Sequence, residues 1–204
     1  MVHAVERAAE LAPLLARATV VVVGPGLGRT AWSQQLFGRV LDSGVPLVVD
    51  ADALNLLAQD PLRRDDWILT PHPGEAARLL AQSSADIQRD RFAALQRLVA
   101  DYGGSVVLKG AGSLAGDAAG GVRLCARGNP GMASGGMGYV LSGVLGALLA
   151  QGLPRFEAAT AGVWLHAVAA DRAASQGERG LLAGDLIPWL RTLVNPGSQD
   201  KAPA

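Results

Sequence analysis

Short apolar runs alternate along the chain with longer segments in which apolar residues recur at helical spacing. The runs lie at 20–23, 46–50, 67–69 and 105–108, and their length and β-branched content predict buried strands. Helices are predicted around them at 3–17, 30–43, 53–59, 74–81, 86–102, 136–151, 154–175 and 183–194. This alternation predicts an α/β fold with a mainly parallel sheet.

Two further apolar runs, at 113–116 and 121–124, flank the turn sequence DAAGG and predict a β-hairpin. The last residues are polar and rich in Pro and Gly, so we expect 196–204 to form a flexible tail. Neither a repeat nor a linker divides the remainder, and one domain is expected over residues 1–195.

Composition narrows the class of protein. The 18 basic and 18 acidic residues balance to zero net charge and no basic cluster is present, which argues against nucleic-acid binding. A single cysteine fits a reducing compartment. The longest apolar stretch, 140–150, is shorter than the roughly 20 residues of a membrane helix. With no signal-peptide pattern at the N-terminus, a cytoplasmic protein that does not bind membranes is expected.

Each of the four predicted strands is followed by a polar or glycine-rich cluster. The clusters are GPGLG at 24–28, DAD at 50–52, TPHPGE at 70–75 and KGAGS at 109–113. Ligands of parallel α/β sheets bind beyond the carboxyl ends of the strands. The four clusters are therefore predicted to converge on one crevice.

The first two clusters each fit two interpretations. GPGLG can bring backbone N–H groups to a phosphate or a polar ring substituent, or it can form only a tight turn. Its spacing matches neither the dinucleotide fingerprint nor the Walker P-loop. Asp50 and Asp52, with Asn55 one turn on, suit a magnesium–water cluster, but capping of the next helix by Asp52 is the favoured interpretation.

The other two clusters are better suited to ligands. Two prolines restrict the backbone around His72, which favours a ligand contact by Thr70 or His72 over a rigid loop in which Glu75 only stabilises a helix N-terminus. The ammonium of Lys109 and the neighbouring glycine N–H groups suit a nucleotide phosphate. A surface lysine at the start of a hairpin is the equally supported alternative.

The segment 129–143, NPGMASGGMGYVLSG, leads a glycine-rich loop into a helix. Gly138, Ser142 and Gly146 share one helix face, where a second backbone can approach closely. The helix N-terminus offers free N–H groups and the positive end of the dipole. Because the loop also provides Asn129 and Ser134, we favour a site for developing negative charge over tight helix packing alone.

Five segments in this order resemble the ADP-dependent NAD(P)H-hydrate dehydratases: VVVGPGLGR, PLVVDADALNLL, ILTPHPGEAARLL, VVLKGAGS and GNPGMASGGMGxVLSG. The resemblance covers about residues 1–195 and implies a ribokinase-like fold, a three-layer α/β/α sandwich. It also implies a reaction. A phosphoryl group from ADP, or from ATP in its place, is transferred with magnesium to the hydroxyl at carbon 6 of hydrated NADH or NADPH. Phosphate is then eliminated, which restores the cofactor.

The resemblance further implies residue roles and partners. The partners are an NAD(P)H-hydrate epimerase, fused or separate, and further copies of the chain in a homo-oligomer, commonly a tetramer. The resemblance leaves the metal ligands unknown. Gly26, Gly28 and His72 are implied to bind substrate, Lys109, Gly110, Ala111, Gly112, Ser113 and Gly138 to bind the nucleotide, and Asn129 and Glu75 are additional candidates.

Two departures from the family pattern stand out. The family motif ends in an aspartate that deprotonates the substrate hydroxyl, and this chain has Tyr139 at that catalytic, substrate-contacting position. A phenol is mostly protonated at neutral pH, and loss of a general base typically lowers the rate by about 10²–10⁴. Family members also carry a further N-terminal third, so we expect an N-terminally truncated domain with an exposed sheet edge. An inactive nucleotide-binding module and a ribokinase-like small-molecule kinase remain as alternatives.

Overall fold

The computed structural model describes residues 1–195, so the tail predicted at 196–204 lies outside the described residues. Six strands form one sheet whose spatial order is the order of the chain. β1 to β4 pair in parallel, whereas β5 pairs antiparallel with both β4 and β6 and so runs opposite to the other strands. This confirms the mainly parallel sheet and the hairpin. The strands are β1 (Val21–Val23), β2 (Leu47–Val49), β3 (Trp67–Leu69), β4 (Ser105–Leu108), β5 (Ser113–Asp117) and β6 (Val122–Cys125).

Helices follow most strands and cover both faces of the sheet. Short 3-10 turns lie at Ala8–Leu11, Pro130–Met132, Ala174–Gln176 and Ala183–Leu186. The α-helices of the described residues are α1 (Ala12–Leu15), α2 (Ala31–Leu41), α3 (Ala51–Leu57), α4 (Pro73–Leu79), α5 (Ser84–Arg89), α6 (Arg91–Tyr102), α7 (Met137–Ala150), α8 (Arg155–Ala173) and α9 (Ile187–Val194).

The two sides of the sheet form separate apolar cores because successive side chains of a strand point to opposite faces. Val48, Ile68 and Val107 pack with residues of α7 and α8. Their strand neighbours, such as Leu47 and Leu69, pack with residues of α2, α3, α4 and α6. This arrangement confirms the three-layer α/β/α sandwich.

Two predicted helices were wrong in extent. The helix predicted at 3–17 is limited to 8–15. The carboxylate of Glu10 accepts the N–H groups of Glu6 and Arg7 at 2.9 and 3.3 Å, which fixes the start of the helical segment after these residues. The helix predicted at 86–102 is two helices, α5 and α6. Asp90 separates them with a non-helical backbone, and its carboxylate accepts the N–H of Ala93 at 2.9 Å.

Helix α7 lies unusually close to the sheet. A methyl group added at Gly146 would lie 2.6 Å from Cγ2 of Val22, on β1, so the small residue predicted on this helix face is required for the contact. β1 is also one edge of the sheet, and Val22 is 40% exposed there. Among the described residues, we find no helix with the length and apolar character needed to cross a membrane.

Candidate functional site

The four clusters that follow β1 to β4 lie together at one end of the sheet. Lys109 Nζ donates a hydrogen bond to Asp50 Oδ1 at 2.7 Å and lies 3.7 Å from Glu75 Oε2. The N–H of Gly28 donates to Asp52 Oδ2 at 2.8 Å. These contacts join all four clusters, and the predicted convergence is confirmed.

Asp50 is the centre of this arrangement. Its side chain is 1% exposed, and besides Lys109 it accepts the hydroxyl of Ser142 at Oδ2, at 2.8 Å. The same hydroxyl oxygen lies 3.0 Å from the carbonyl oxygen of Gly138, in the first turn of α7. A buried carboxylate therefore ties the lysine loop to the helix that begins beside it.

The favoured interpretation of Asp52 as a helix cap was wrong. Asp50 occupies the cap position of α3 without a side-chain capping bond, and the carboxylate of Asp52 turns to the N–H of Gly28 instead. Between them Ala51 has a φ of 49°, a left-handed conformation that is strained for a residue with a Cβ. This strained turn directs Asp50 toward the lysine and Asp52 toward the glycine loop.

The aspartates do not form a protein-held magnesium site. Both oxygens of Asp50 already bind Lys109 and Ser142. Among residues 1–195 no group of three or more His, Cys, Asp or Glu side chains could hold a metal ion. Magnesium usually binds through one or two carboxylates together with substrate phosphates, so these residues do not fit a metal bound without the nucleotide.

His72 and Glu75 form a reciprocal cap at the start of α4. Nδ1 of His72 accepts the N–H groups of Gly74 and Glu75 at 3.0 and 3.3 Å, and the Glu75 carboxylate accepts the N–H of His72 at 2.8 Å. Nε2 faces Glu75 Oε1 at 3.4 Å. Burial lowers the pKa of His72, and the charge of Lys109 adds to this lowering while that of Glu75 opposes it. A neutral ring is expected, with its proton on Nε2 and half of the side chain exposed.

The loop 109–113 begins with a largely buried lysine. The Lys109 side chain is 19% exposed, so the alternative of a surface lysine was wrong. Gly110 and Ala111 are exposed, while Gly112 and Ser113 are partly exposed. Arg91, at the start of α6, binds the carbonyls of this loop, a contact for which the sequence carries no recognisable motif.

The first turn of α7 borders this loop. Gly136 precedes the helix with a φ of 89°, which favours glycine. A methyl group added at Gly138 would lie 3.3 Å from Lys109 Nζ and 3.6 Å from Asp50 Oδ2. Tyr139 follows with 51% exposure. The helix N-terminus therefore opens beside the ammonium, and the tyrosine side chain reaches solvent next to both.

Two residues predicted to lie near this site form hydrogen bonds with other parts of the chain. Asn129 caps the turn Pro130–Met132 through Oδ1 and donates from Nδ2 to Asp171 Oδ1 at 3.0 Å. The hydroxyl of Ser134 donates to the carbonyl of Leu181 at 3.1 Å. Both side chains therefore hold the glycine-rich loop against α8 and the segment that follows α8. Gly26, another predicted site residue, lies exposed in the loop after β1 with a φ of 68°.

A buried histidine behind α7 has no sequence motif. His166 lies on α8 and is 6% exposed, and its Nε2 has no hydrogen-bond partner among the described residues. Burial lowers its pKa to about 4, with a smaller lowering from Lys109 and an opposing effect from the backbone of Met137. The ring is therefore neutral at physiological pH.

A cavity of about 330 Å³ adjoins Ser113 between the hairpin and α8. Its wall includes Arg123, Arg127 and Trp164, and Trp164 is 47% exposed. The cavity has the size of a small-molecule site and two guanidinium groups that suit an anionic ligand.

The fold is shared with known proteins. A solved ribokinase-like superfamily protein from Enterococcus faecalis V583 is 29% identical with a TM-score of 0.81, over 91% of this chain and 66% of that chain. The chain thus has a ribokinase-like α/β fold. It belongs to the NAD(P)H-hydrate dehydratase family, whose model matches residues 1–191.

Individual relatives agree with this assignment. The bifunctional NAD(P)H-hydrate repair enzyme of Coxiella burnetii is 57% identical over 96% of this chain. The ADP/ATP-dependent NAD(P)H-hydrate dehydratase of Bacillus subtilis, crystallised with ATP and Mg²⁺, is 29% identical with a TM-score of 0.79 over 86% of this chain. The chain spans 40% of the Coxiella protein and 64% of the Bacillus chain.

Proposed function

We propose that this chain binds a nucleoside di- or triphosphate and hydrated NADH or NADPH, as in ADP-dependent repair of the damaged cofactor. One observation carries the proposal. The ammonium of Lys109, the glycine loop behind it and the N-terminus of α7 meet around buried Asp50. A cation, backbone N–H groups and a helix dipole at one point favour the negative charge that develops in phosphoryl transfer.

The nucleotide is proposed to lie along the loop 109–113, with its phosphates at Lys109, Gly110, Gly112 and Gly138. The neighbouring cavity then receives the base and ribose, where the half-exposed ring of Trp164 offers a stacking surface. Magnesium is proposed to arrive with the phosphates, because both oxygens of Asp50 already bind protein groups.

The hydrated nicotinamide is proposed to lie across the ends of β1 and β3, against Gly26, Gly28 and His72. Glu75 would fix the His72 ring, since it holds both the backbone and the ring of that residue. With Nδ1 accepting two backbone N–H groups, His72 has no free basic nitrogen in this conformation. Its proposed role is therefore to contact the substrate, not to remove a proton.

Tyr139 decides how much turnover this site supports. For phosphoryl transfer, the substrate hydroxyl must lose its proton as its oxygen bonds to the terminal phosphorus and the nucleotide, shortened by one phosphate, leaves. The residue at 139 is a phenol on the exposed side of α7, and it lacks the carboxylate that would accept this proton. We therefore propose normal ligand binding with slow turnover. Tyr139 equally supports a second candidate function, an inactive nucleotide-binding module, and it disfavours a small-molecule kinase, which needs the same base.

The test follows NADH absorbance during incubation of hydrated NADH with ADP and magnesium. The parent chain, Tyr139→Asp and Tyr139→Asn are compared. We expect Tyr139→Asp to exceed the other two by about 10²–10⁴, with Asn controlling for side-chain size. Equal rates for Asp and Asn would overturn the proposed role of position 139, and failure of ADP to raise the melting temperature of any form would overturn the nucleotide site.

We also propose cytoplasmic action together with an epimerase, fused or separate, and assembly into a homo-oligomer such as a tetramer. The name of the Coxiella relative, a bifunctional repair enzyme, supports the first partner. Half-exposed apolar side chains such as Trp32 and Phe92 support the second. Analytical ultracentrifugation of the chain tests the assembly, and a purely monomeric species would contradict it.

A further inference from the structure

One arginine holds the backbone of the loop 109–113 from a neighbouring helix. Arg91 Nη1 donates to the carbonyls of Ala111 at 2.6 Å and Gly112 at 2.9 Å. Its Nη2 donates to the carbonyls of Leu108 at 3.1 Å and Lys109 at 3.4 Å. A single planar guanidinium therefore engages four carbonyls of the strand end and the loop.

These contacts determine which way the loop presents its N–H groups. In a trans peptide the C=O of one residue is antiparallel to the N–H of the next. The carbonyls of Lys109 and Ala111 face Arg91, so the N–H groups of Gly110 and Gly112 are directed away from it. The N–H of Gly110 donates to Ser113 Oγ at 3.3 Å, and that of Gly112 has no acceptor among the described residues.

The loop glycines have the conformations that such an arrangement needs. Gly110 and Gly112 have φ values of 145° and 68°, in the region that favours residues without a Cβ. Successive N–H groups in a turn of this kind form a concave anion site. The side of the loop opposite Arg91 thus carries the N–H groups of Gly110 and Gly112, and that of Gly112 has no protein acceptor among the described residues.

The burial of Arg91 lowers the stability of the folded chain. Nε is buried without a hydrogen-bond partner among the described residues, and burial lowers the pKa of the guanidinium. An unsatisfied buried donor reduces stability. Such a cost is expected where a side chain serves the geometry of a site.

We propose that Arg91 is the positioning residue of the nucleotide site: it holds the loop carbonyls on one side so that the N–H groups on the other side bind a phosphate. Arg91 does not touch the nucleotide itself. The inference rests on the proposed nucleotide site. A lysine cannot replace the arginine fully, because an ammonium lacks the planar fork that reaches several carbonyls at once.

The experiment measures the binding of ADP by calorimetry and the binding of adenosine by its competition with ADP. It uses the parent chain, Arg91→Met, Arg91→Lys and Arg97→Met, an exposed arginine of the same helix as matched control. We expect Arg91→Met to weaken ADP binding about ten- to hundredfold, Arg91→Lys to weaken it less, and Arg97→Met to leave it unchanged. Adenosine, which has no phosphate, should bind all four forms equally. Millimolar guanidinium should partly restore ADP binding to Arg91→Met.

Unchanged ADP binding in Arg91→Met would overturn the inference. Equal losses for ADP and adenosine would also overturn it, because they would mean a general structural role. If Arg91→Met does not fold, Arg91→Lys decides, and ADP binding equal to that of the parent chain would count against the proposal. Failure of the parent chain itself to bind ADP would instead overturn the proposed nucleotide site, and the role of Arg91 with it.

Discussion

The buried pair of Asp50 and Lys109 makes a quantitative prediction about stability. Asp50→Asn removes the carboxylate charge but keeps an oxygen that can still accept the hydroxyl of Ser142. The ammonium of Lys109, 19% exposed, then loses its partner at 2.7 Å. Breaking a buried pair on one side costs about 3–5 kcal/mol.

The expected loss lies at the lower end of that range. Glu75 Oε2 remains 3.7 Å from Lys109 Nζ and partly compensates the charge. We therefore expect Asp50→Asn to lower the free energy of unfolding by about 3 kcal/mol and the melting temperature by about 6–12 °C. Asp65→Asn is the matched control, because its pair with Arg63 is exposed and contributes at most about 1 kcal/mol.

Urea unfolding of a double-mutant cycle tests the reasoning. Asp50→Asn, Lys109→Met and the double variant are compared with the parent chain. The double variant leaves no buried charge of this pair unpaired, so its loss should be smaller than the sum of the single losses by more than about 0.5 kcal/mol. Additive losses would refute the idea that the two groups stabilise each other, and a loss for Asp50→Asn no larger than that of Asp65→Asn would refute the estimated magnitude.

Further substitutions test the packing and the charges of the site. In urea unfolding, Gly146→Ala should lower the free energy of unfolding by about 1–3 kcal/mol, because its methyl group would lie 2.6 Å from Val22 on β1. Gly143→Ala, which has open space around it, should instead raise the free energy of unfolding by up to about 1 kcal/mol. Gly138→Ala should weaken ADP binding about tenfold in calorimetry, because its methyl group would crowd the lysine ammonium, while stability changes by less than about 1 kcal/mol. The folded-state pKa of His166 is about 4 against 6.5 for the ordinary group, so the unfolded chain binds more protons between these values and stability falls as pH is lowered through this window. His166→Asn should flatten that fall between pH 6.5 and 5, leaving the smaller contribution of His72, whose pKa is lowered in the same direction; an unchanged slope would contradict the assignment.

The sequence predicted the sheet and its functional end well because both depend on local patterns. Buried strands such as Trp67–Leu69 are short apolar runs, and the residues that follow parallel strands must share one edge. Boundaries that depend on side-chain hydrogen bonds were missed, as at Asp90, where an aspartate caps one helix and ends another. Asp52 was assigned to its own helix, but its acceptor geometry depends on the strained turn at Ala51.

Interactions between segments that are distant along the chain could not be predicted from the sequence. Ser142 and Asp50 are 92 residues apart, and the four-residue spacing of small side chains on α7 indicated only that something packs closely there. The contact of Arg91 with the loop 109–113 required the placement of α6 against β4 and β5. In both cases the residue type is ordinary, and only the fold gives it a role.

The spatial order of the strands also bears on how the chain folds. Each strand pairs with its successor in the sequence, so each pairing closes a shorter stretch of chain than it would in a sheet with another strand order. The bond between Ser142 and Asp50 is different, since it closes a separation of 92 residues. The docking of α7 is therefore expected to be a late step, and until it occurs the carboxylate of Asp50 stays accessible to water.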